Sequence, residues 1–409
     1  MCSNSNNNLP IIRFTNCQIL RDHKIISEDL WVRNGKIINP EPIYYLEKRL
    51  ADIVIDCNNR LIAPGYIDLQ INGHFGYDFS NCDIDIEEAV HKTALGLVKH
   101  GVTAFCPTLV TQSRDSYHKI LPQIKRTAGS KSYGSTNLGA HVEGPFISPS
   151  KKGAHPIDYI KPIGSYANIQ DMYKHMDNIS IITLAPELDP SGEIVRQLVK
   201  SGITVSVGHS MATLEEGERG INAGATFITH LFNAMLPFHH RDPGLVGLLT
   251  STGITKQIYY GIIADGIHTH YAALKIAFKS NPKGMVLVSD AISAAGLGVG
   301  RHKLGIQDIE IKDNNKAFIS GTDTLCGSIA ALDYCVRHLR QVTGCSTVEA
   351  IECATLHAAQ VMNMADRKGT LAFGADADFN ILDDKLNVLA TFISGQCVHK
   401  NDETLDITI

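Results

Sequence analysis

No stretch of this 409-residue chain holds the about 18 consecutive apolar residues that a membrane-spanning helix needs, so no membrane span is expected. Its start, MCSNSNNNLP, lacks both the basic and the apolar region of a secretion signal. A cytoplasmic location is expected. Positive charge is not in surplus either: 37 Lys and Arg stand against 42 Asp and Glu, a formal charge of -5. That leaves no cationic face for a phosphate backbone, and nucleic-acid partners are excluded. Ten cysteines occur without a single C-x-x-C pair, scattered singly at Cys2, Cys17, Cys57, Cys82, Cys106, Cys326 and Cys345 among others. Reduced, mostly buried thiols are expected. There is no sequence repeat beyond an architectural one.

What is present is a chain 44% hydrophobic and long enough for a large core. The first stretch reads as short strands, at 11–16, around 30–32, at 34–38 and at 51–56, and the tail repeats this at 377–382 and 388–394. Between them short apolar runs alternate with helical stretches, the pattern of repeated βα units and a parallel sheet. Eight runs can be counted: 65–73 (GYIDLQING), 102–108 (VTAFCPT), 137–143 (NLGAHVE), 181–186 (IITLAP), 203–209 (ITVSVGH), 225–230 (ATFITH), 258–265 (IYYGIIAD) and 284–290 (GMVLVSD). Helices are expected at 84–100, 192–200, 213–223 and 270–280, followed by 328–342 and 347–362. The fold class is therefore α/β, a (β/α)₈ TIM barrel over 64–363, with residues 1–63 and 364–409 forming one small split β-sandwich.

Polar residues concentrate at the carboxyl ends of the runs, where such a barrel places its active site. Glu143, His209, His230 and Asp290 each close a strand. A carboxylate and two imidazoles from three strands make the set that binds a catalytic divalent ion and leaves a position open for water. Asp290 is then left for acid/base work. Each residue has a plainer reading: a strand-end histidine is commonly a hydrogen-bonded core residue, and Asp290 also suits a helix N-cap. Two such histidines one βα unit apart favour ligation, as does an acidic residue in the apolar run around Val142 and Phe146. His141 lies on the same strand face as Glu143 and is expected to support a ligand at most.

The runs GAHVEGPF, VGHS, THLFNAM, ADGIH and VSDAISAAG resemble those of the N-acetylglucosamine-6-phosphate deacetylases of the amidohydrolase superfamily, and GTLAFGADADF is similar to that superfamily's return segment. The resemblance covers roughly 13–398. It implies that Glu143, His209 and His230 are metal ligands, that Asp290 is the catalytic acid/base, and that His155 contacts the acetyl carbonyl. It assigns Asn233, Ala234, Arg241 and His268 to the sugar phosphate. Many amidohydrolases carry H-x-H at the end of strand one; here the residues are Gln70-Ile71-Asn72. Amides are weak ligands beside imidazole, so one divalent ion per chain is expected, zinc before Fe²⁺, Co²⁺ or Mn²⁺. A two-metal centre sharing Asp290 stays open. The substrate implied is a phosphorylated amino sugar, hydrolysed by an activated water, and the family's sharing of phosphate-binding groups between subunits implies a homodimer. The alternatives are an amidohydrolase acting on another amide, and a catalytically dead scaffold on the same fold.

Overall fold

The structure is a computed structural model describing residues 10–304, 307–312, 316–321 and 327–401. Cys2, Cys326 and the start of the chain through residue 9 lie outside the described residues. All eight apolar runs become strands of one sheet: β1 (Tyr66–Ile71), β2 (Val102–Leu109), β3 (Ala140–Glu143), β4 (Ile179–Leu184), β5 (Thr204–Val207), β6 (Phe227–Ile228), β7 (Tyr259–Ile262) and β8 (Met285–Leu287). Successive strands pair in parallel from β1 through β8. Just beyond β8 the chain meets the end of β1: Ile71 bridges Ala291 in parallel, Asp290 N donates to Gln70 O at 2.8 Å, and Asn72 N donates to Ala291 O at 2.8 Å. This seam closes the barrel.

The surrounding helices show why these segments are helical. In Ile86–Leu97, Asp85 caps the N-terminus by accepting from Glu88 N, and Ile86, Ala89, Val90, Thr93, Ala94 and Leu97 fall on one buried face. Leu214–Ala223 opens with a capping box between Thr213 and Glu216. Two helices differ from the sequence reading. The segment expected as 347–362 is split into Thr347–Glu352 and Leu356–Val361. The break releases two carbonyls for the barrel floor: Cys353 O accepts from Leu287 N, and Ala354 O from Ile67 N, both at 2.8 Å. The helix expected from 328 begins at Leu332, because Ser328 O instead accepts from Ile292 N beside the seam. A three-stranded antiparallel sheet, Gly300–Leu304, Gln307–Lys312 and Lys316–Ile319, was not foreseen. It is anchored by Ile309, Ile311 and Ala317 against Ala294.

The two ends of the chain meet in a second sheet. Ile11–Arg21 pairs in parallel with Ile53–Pro64, which pairs antiparallel with Phe379–Leu382. Val388–Ile393 and Gln396–Lys400 extend it on one side, Leu30–Arg33 and Lys36–Ile37 on the other. Its core is aromatic: Phe14 lies edge-on to Phe379 and Phe392 at 5.0 and 5.1 Å, and the latter two stack at 4.6 Å. The eight described cysteines are free thiols, six of them buried. Among the described residues no helix is long and apolar enough to cross a membrane.

Candidate active site

The barrel interior changes character along its axis. Strand side chains alternate with a period of two, and the inward positions run from apolar to polar toward the carboxyl ends. Ile181 is followed by Thr183, Phe227 by Thr229, and His141 by Glu143. The lower layer is closed by Ala358, Ala359 and Val361. The middle layer is a buried hydrogen-bonded chain in which His141 Nδ1 meets Leu69 O at 2.9 Å and Nε2 meets Thr183 Oγ1 at 2.7 Å, continued through Thr229 and Ser206. Both ring nitrogens of His141 are engaged there, so it supports the layer beneath the site without touching a ligand.

Above it Glu143, His209 and His230 converge. Glu143 Oε1 lies 2.9 Å from His209 Nε2 and 2.8 Å from His230 Nε2, and the two nitrogens are 3.0 Å apart. In His209, Nδ1 faces the Lys151 carbonyl at 2.8 Å. A carbonyl only accepts, so Nδ1 carries the proton and Nε2 presents a lone pair. A lone pair that close to a carboxylate oxygen calls for a positive charge between them. His230 answers the same demand: burial acts to lower its pKa, but the Glu143 carboxylate outweighs burial and pushes it up to about 9. Burial raises Glu143, and hydrogen bonds with His209 and His230 override it, holding the carboxyl well below its usual range. The donor set of two nitrogens and one oxygen suits a divalent ion such as zinc.

His155 is close enough to join a ligand cluster with Glu143 and His209, its Nε2 being 4.0 Å from Glu143 Oε2. Its tautomer argues otherwise. Thr111 N donates to His155 Nδ1 at 3.1 Å, so Nδ1 is the acceptor and the proton of the neutral ring sits on Nε2. Burial lowers the pKa to about 3, keeping the ring neutral. His155 therefore presents an N–H donor to the site, whereas His209 presents a lone pair.

Asp290 follows β8. Burial and the nearby Glu143 charge raise its pKa to about 7. Three of the four strand-end residues adopt left-handed backbone: His209 at φ 48°, His230 at φ 27° and Asp290 at φ 43°. Such conformations cost about 1–3 kcal/mol each in a residue with a side chain, and their clustering here marks a functional site. His268 completes the wall. Its Nδ1 meets Asp265 Oδ2 at 2.6 Å, while Asp265 Oδ1 accepts from Ile267 N and His268 N. Burial would lower the His268 pKa, but the Asp265 carboxylate raises it overall.

A cavity of about 430 Å³ joins Glu143, His155, His209, His230, His268 and Asp290. Asn233, Ala234 and Arg241 are not among its lining residues. Asn233 folds back so that its Nδ2 donates to His230 O at 3.4 Å. Ala234, at φ 50°, accepts from Ser210 N at 3.0 Å through its carbonyl. Arg241 is exposed. The cavity also includes Asn72, Asp78, Ile292 and Ile319, which the sequence reading did not place in the site. For Asn72 and Ile292 a signal was present, since each lies within two residues of the end of an apolar run, 65–73 and 284–290 respectively. Ile319 arrives on the unforeseen three-stranded sheet, and nothing in its local sequence marks it.

A barrel with a metal-suited trio and an aspartate at its carboxyl mouth is an arrangement that suits a metal-dependent hydrolase, and comparison with known proteins places the chain among hydrolases acting on carbon–nitrogen bonds. The amidohydrolase family signature matches residues 61–398, and the chain belongs to that family. It is 54% identical over 398 residues to N-acetylglucosamine-6-phosphate deacetylase of Rattus norvegicus, covering 96% of this chain and 97% of the relative. The human enzyme of the same name is 53% identical over 397 residues, covering 96% of each chain. Among solved structures, the deacetylase of that name from Pasteurella multocida superposes with a TM-score of 0.82 at 29% identity, covering 96% of this chain and all of its own. A point mutant of the Mycobacterium smegmatis enzyme, solved in complex with N-acetyl-D-glucosamine-6-phosphate, superposes with a TM-score of 0.77 at 25% identity, covering 95% of this chain and 99% of its own.

Proposed function

We propose that the protein hydrolyses N-acetylglucosamine 6-phosphate to glucosamine 6-phosphate and acetate, a step of amino-sugar recycling carried out in the cytoplasm. The observation that carries this is the meeting of a metal-suited trio (Glu143, His209, His230), a neutral N–H donor (His155) and a buried carboxyl (Asp290) around one cavity. The relatives' shared activity supports it.

Glu143, His209 and His230 would hold one divalent ion, zinc in our reading. When bound, such an ion lowers the pKa of water toward about 7 and polarises a carbonyl. The remaining work falls to the chain itself. Asp290 takes the proton of the attacking water and then delivers it to the departing sugar nitrogen, a role suited to a carboxyl whose pKa lies near neutrality. His155 Nε2–H donates to the acetyl oxygen as it becomes negative, worth about 3 kcal/mol if aligned. His268, held by Asp265, offers a cationic donor to the phosphorylated sugar, supplemented by Asn233 and the backbone at Ala234.

Arg241 lies outside its own chain's cavity on an exposed loop with Phe238, which supports a homodimer in which it reaches the partner's phosphate. The catalytic barrel is assigned to 64–363 and the split sheet domain to 1–63 and 364–409. The test is acetate release from N-acetylglucosamine 6-phosphate and from the unphosphorylated sugar, with bound metal measured on the same sample. Equal turnover of the two sugars would remove the phosphate from the reading. No acetate from either, with metal bound, would overturn the reading entirely.

A further inference from the structure

The two amides that close β1 are engaged with the site's two carboxylates. Gln70 Nε2 donates to Glu143 Oε1 at 3.1 Å, and Asn72 Nδ2 donates to Asp290 Oδ1 at 2.7 Å. An ionised carboxylate only accepts, so each amide must present its NH₂ group there. The consequence is visible in both: Gln70 Oε1 and Asn72 Oδ1 are buried without a hydrogen-bond partner. A buried unpaired oxygen costs about 1–3 kcal/mol, so the fold maintains these orientations against a penalty.

Asn72 is also fixed relative to Asp290 through the backbone. Asn72 N donates to Ala291 O and Asp290 N donates to Gln70 O, each at 2.8 Å. These two bonds form the seam of the barrel, so the amide and the carboxylate it touches sit on one rigid join. Asp290 itself is in the left-handed region.

We propose that Asn72 is a positioning residue for Asp290: by occupying Oδ1 it leaves Oδ2 as the one oxygen that carries the proton in both directions. This rests on the acid/base reading of Asp290 given above. In the forward reaction the water oxygen bonds to the acetyl carbon as the carbonyl π pair moves onto its oxygen, and the water's proton passes to Oδ2. The carbonyl then re-forms, the carbon–nitrogen bond breaks with its electron pair going to nitrogen, and the proton on Oδ2 follows. Asp290 ends ionised, still accepting from Asn72, and no other proton donor is needed. A carboxylate free to rotate would divide its time between the two oxygens and lose alignment with one of the two transfers.

The test uses the metal-loaded, full-length protein with Asn72→Ala and the near-isosteric Asn72→Leu, neither of which can donate. The expected result for both is a kcat lower by roughly 10- to 100-fold, a KM within about twofold of the parent, and unchanged metal per chain. A kcat within twofold of the parent would overturn the proposal. So would loss of metal in step with activity, or a loss carried mainly by KM. Failure of both variants to fold would assign Asn72 to the barrel seam alone and overturn it too. Asp290→Asn, measured alongside, separates the two readings: if it keeps its turnover the acid/base role itself falls, whereas a dead Asp290→Asn beside a fully active Asn72→Ala sinks only the positioning role.

Discussion

The carboxyl mouth of the barrel and the sheet formed by the chain ends are both buried, but they are built in opposite ways. At the mouth, Glu143, His155, His209 and His230 are each at most 4% exposed, three site residues carry strained backbone, and His230 Nδ1, Gln70 Oε1 and Asn72 Oδ1 have no hydrogen-bond partner. In the terminal sheet, Phe14, Phe379 and Phe392 fill the core in favourable ring geometries. One region holds groups at a cost in stability because their chemistry needs it, and the other supplies stability without chemistry. Substitutions in the two should therefore move activity and stability independently.

The largest expected effect tests that directly. Asp290→Asn should lower turnover by roughly 10²- to 10⁴-fold while bound metal stays near one per chain, measured by steady-state kinetics and metal analysis together. The same substitution should make the metal-stripped protein more stable. The sign follows from linkage: burial first, and then the Glu143 charge, raise the Asp290 pKa to about 7 from a reference near 3.8. The folded state thus binds the extra proton between those values, and stability falls as pH rises through that window. An amide carries no such penalty, so the melting temperature at pH 8 should rise. A variant both inactive and less stable would break the comparison at its strongest point.

The converse belongs to the terminal sheet. Phe14→Ala should destabilise the protein by about 3–5 kcal/mol, read by denaturant unfolding, with kcat per folded molecule unchanged. A fall in kcat there would mean that the sheet positions the site and does not merely stabilise the barrel.

Much of this division was legible in the sequence, for a physical reason. The eight barrel strands are buried on both faces and read as apolar runs whatever their neighbours, and polar residues at their ends stand out because burying them needs a purpose. Glu143, His209, His230, His155, His268 and Asp290 were all singled out this way or by motif, and the structure brings them to one cavity. Helix limits were less legible where tertiary demands decide them. Nothing in Glu352-Cys353-Ala354-Thr355 announces that two carbonyls must turn away to meet Leu287 and Ile67. The three-stranded sheet ending at Ile319 was missed because, among its described side chains, only Ile309, Ile311 and Ala317 are buried, so it carries no continuous apolar run. Asn72 was read only as an amide standing where many amidohydrolases carry a ligand histidine, since a hydrogen bond to Asp290 across the barrel seam depends on closure.

His155 gives an intermediate effect that sharpens the mouth itself. With its proton on Nε2, it should act on the transition state and not on the metal. His155→Ala is expected to lower kcat by about 100-fold, the equivalent of about 3 kcal/mol, with metal content intact. Lost metal in this variant would instead make His155 a ligand, the alternative that its proximity to Glu143 and His209 allows.

The smallest expected effect concerns the outer wall of the cavity. Burial alone would lower the His268 pKa, and the Asp265 carboxylate raises it overall, so the imidazolium and any stability it lends are fully present below the ordinary histidine range. Both are lost as pH rises through the raised value. KM for the phosphorylated sugar should therefore be lowest on the acid side and climb as His268 loses its proton, while the unphosphorylated sugar shows no such limb. Asp265→Asn removes the charge that holds the proton, and it should move the rise in KM to lower pH with only a severalfold change at neutrality. Because Asp265 lies behind His268 and away from the trio, kcat at saturating substrate should stay close to that of the parent. A change in kcat with an unmoved KM profile would show that Asp265 acts through the catalytic trio and that His268 does not bind the phosphorylated sugar as a cation.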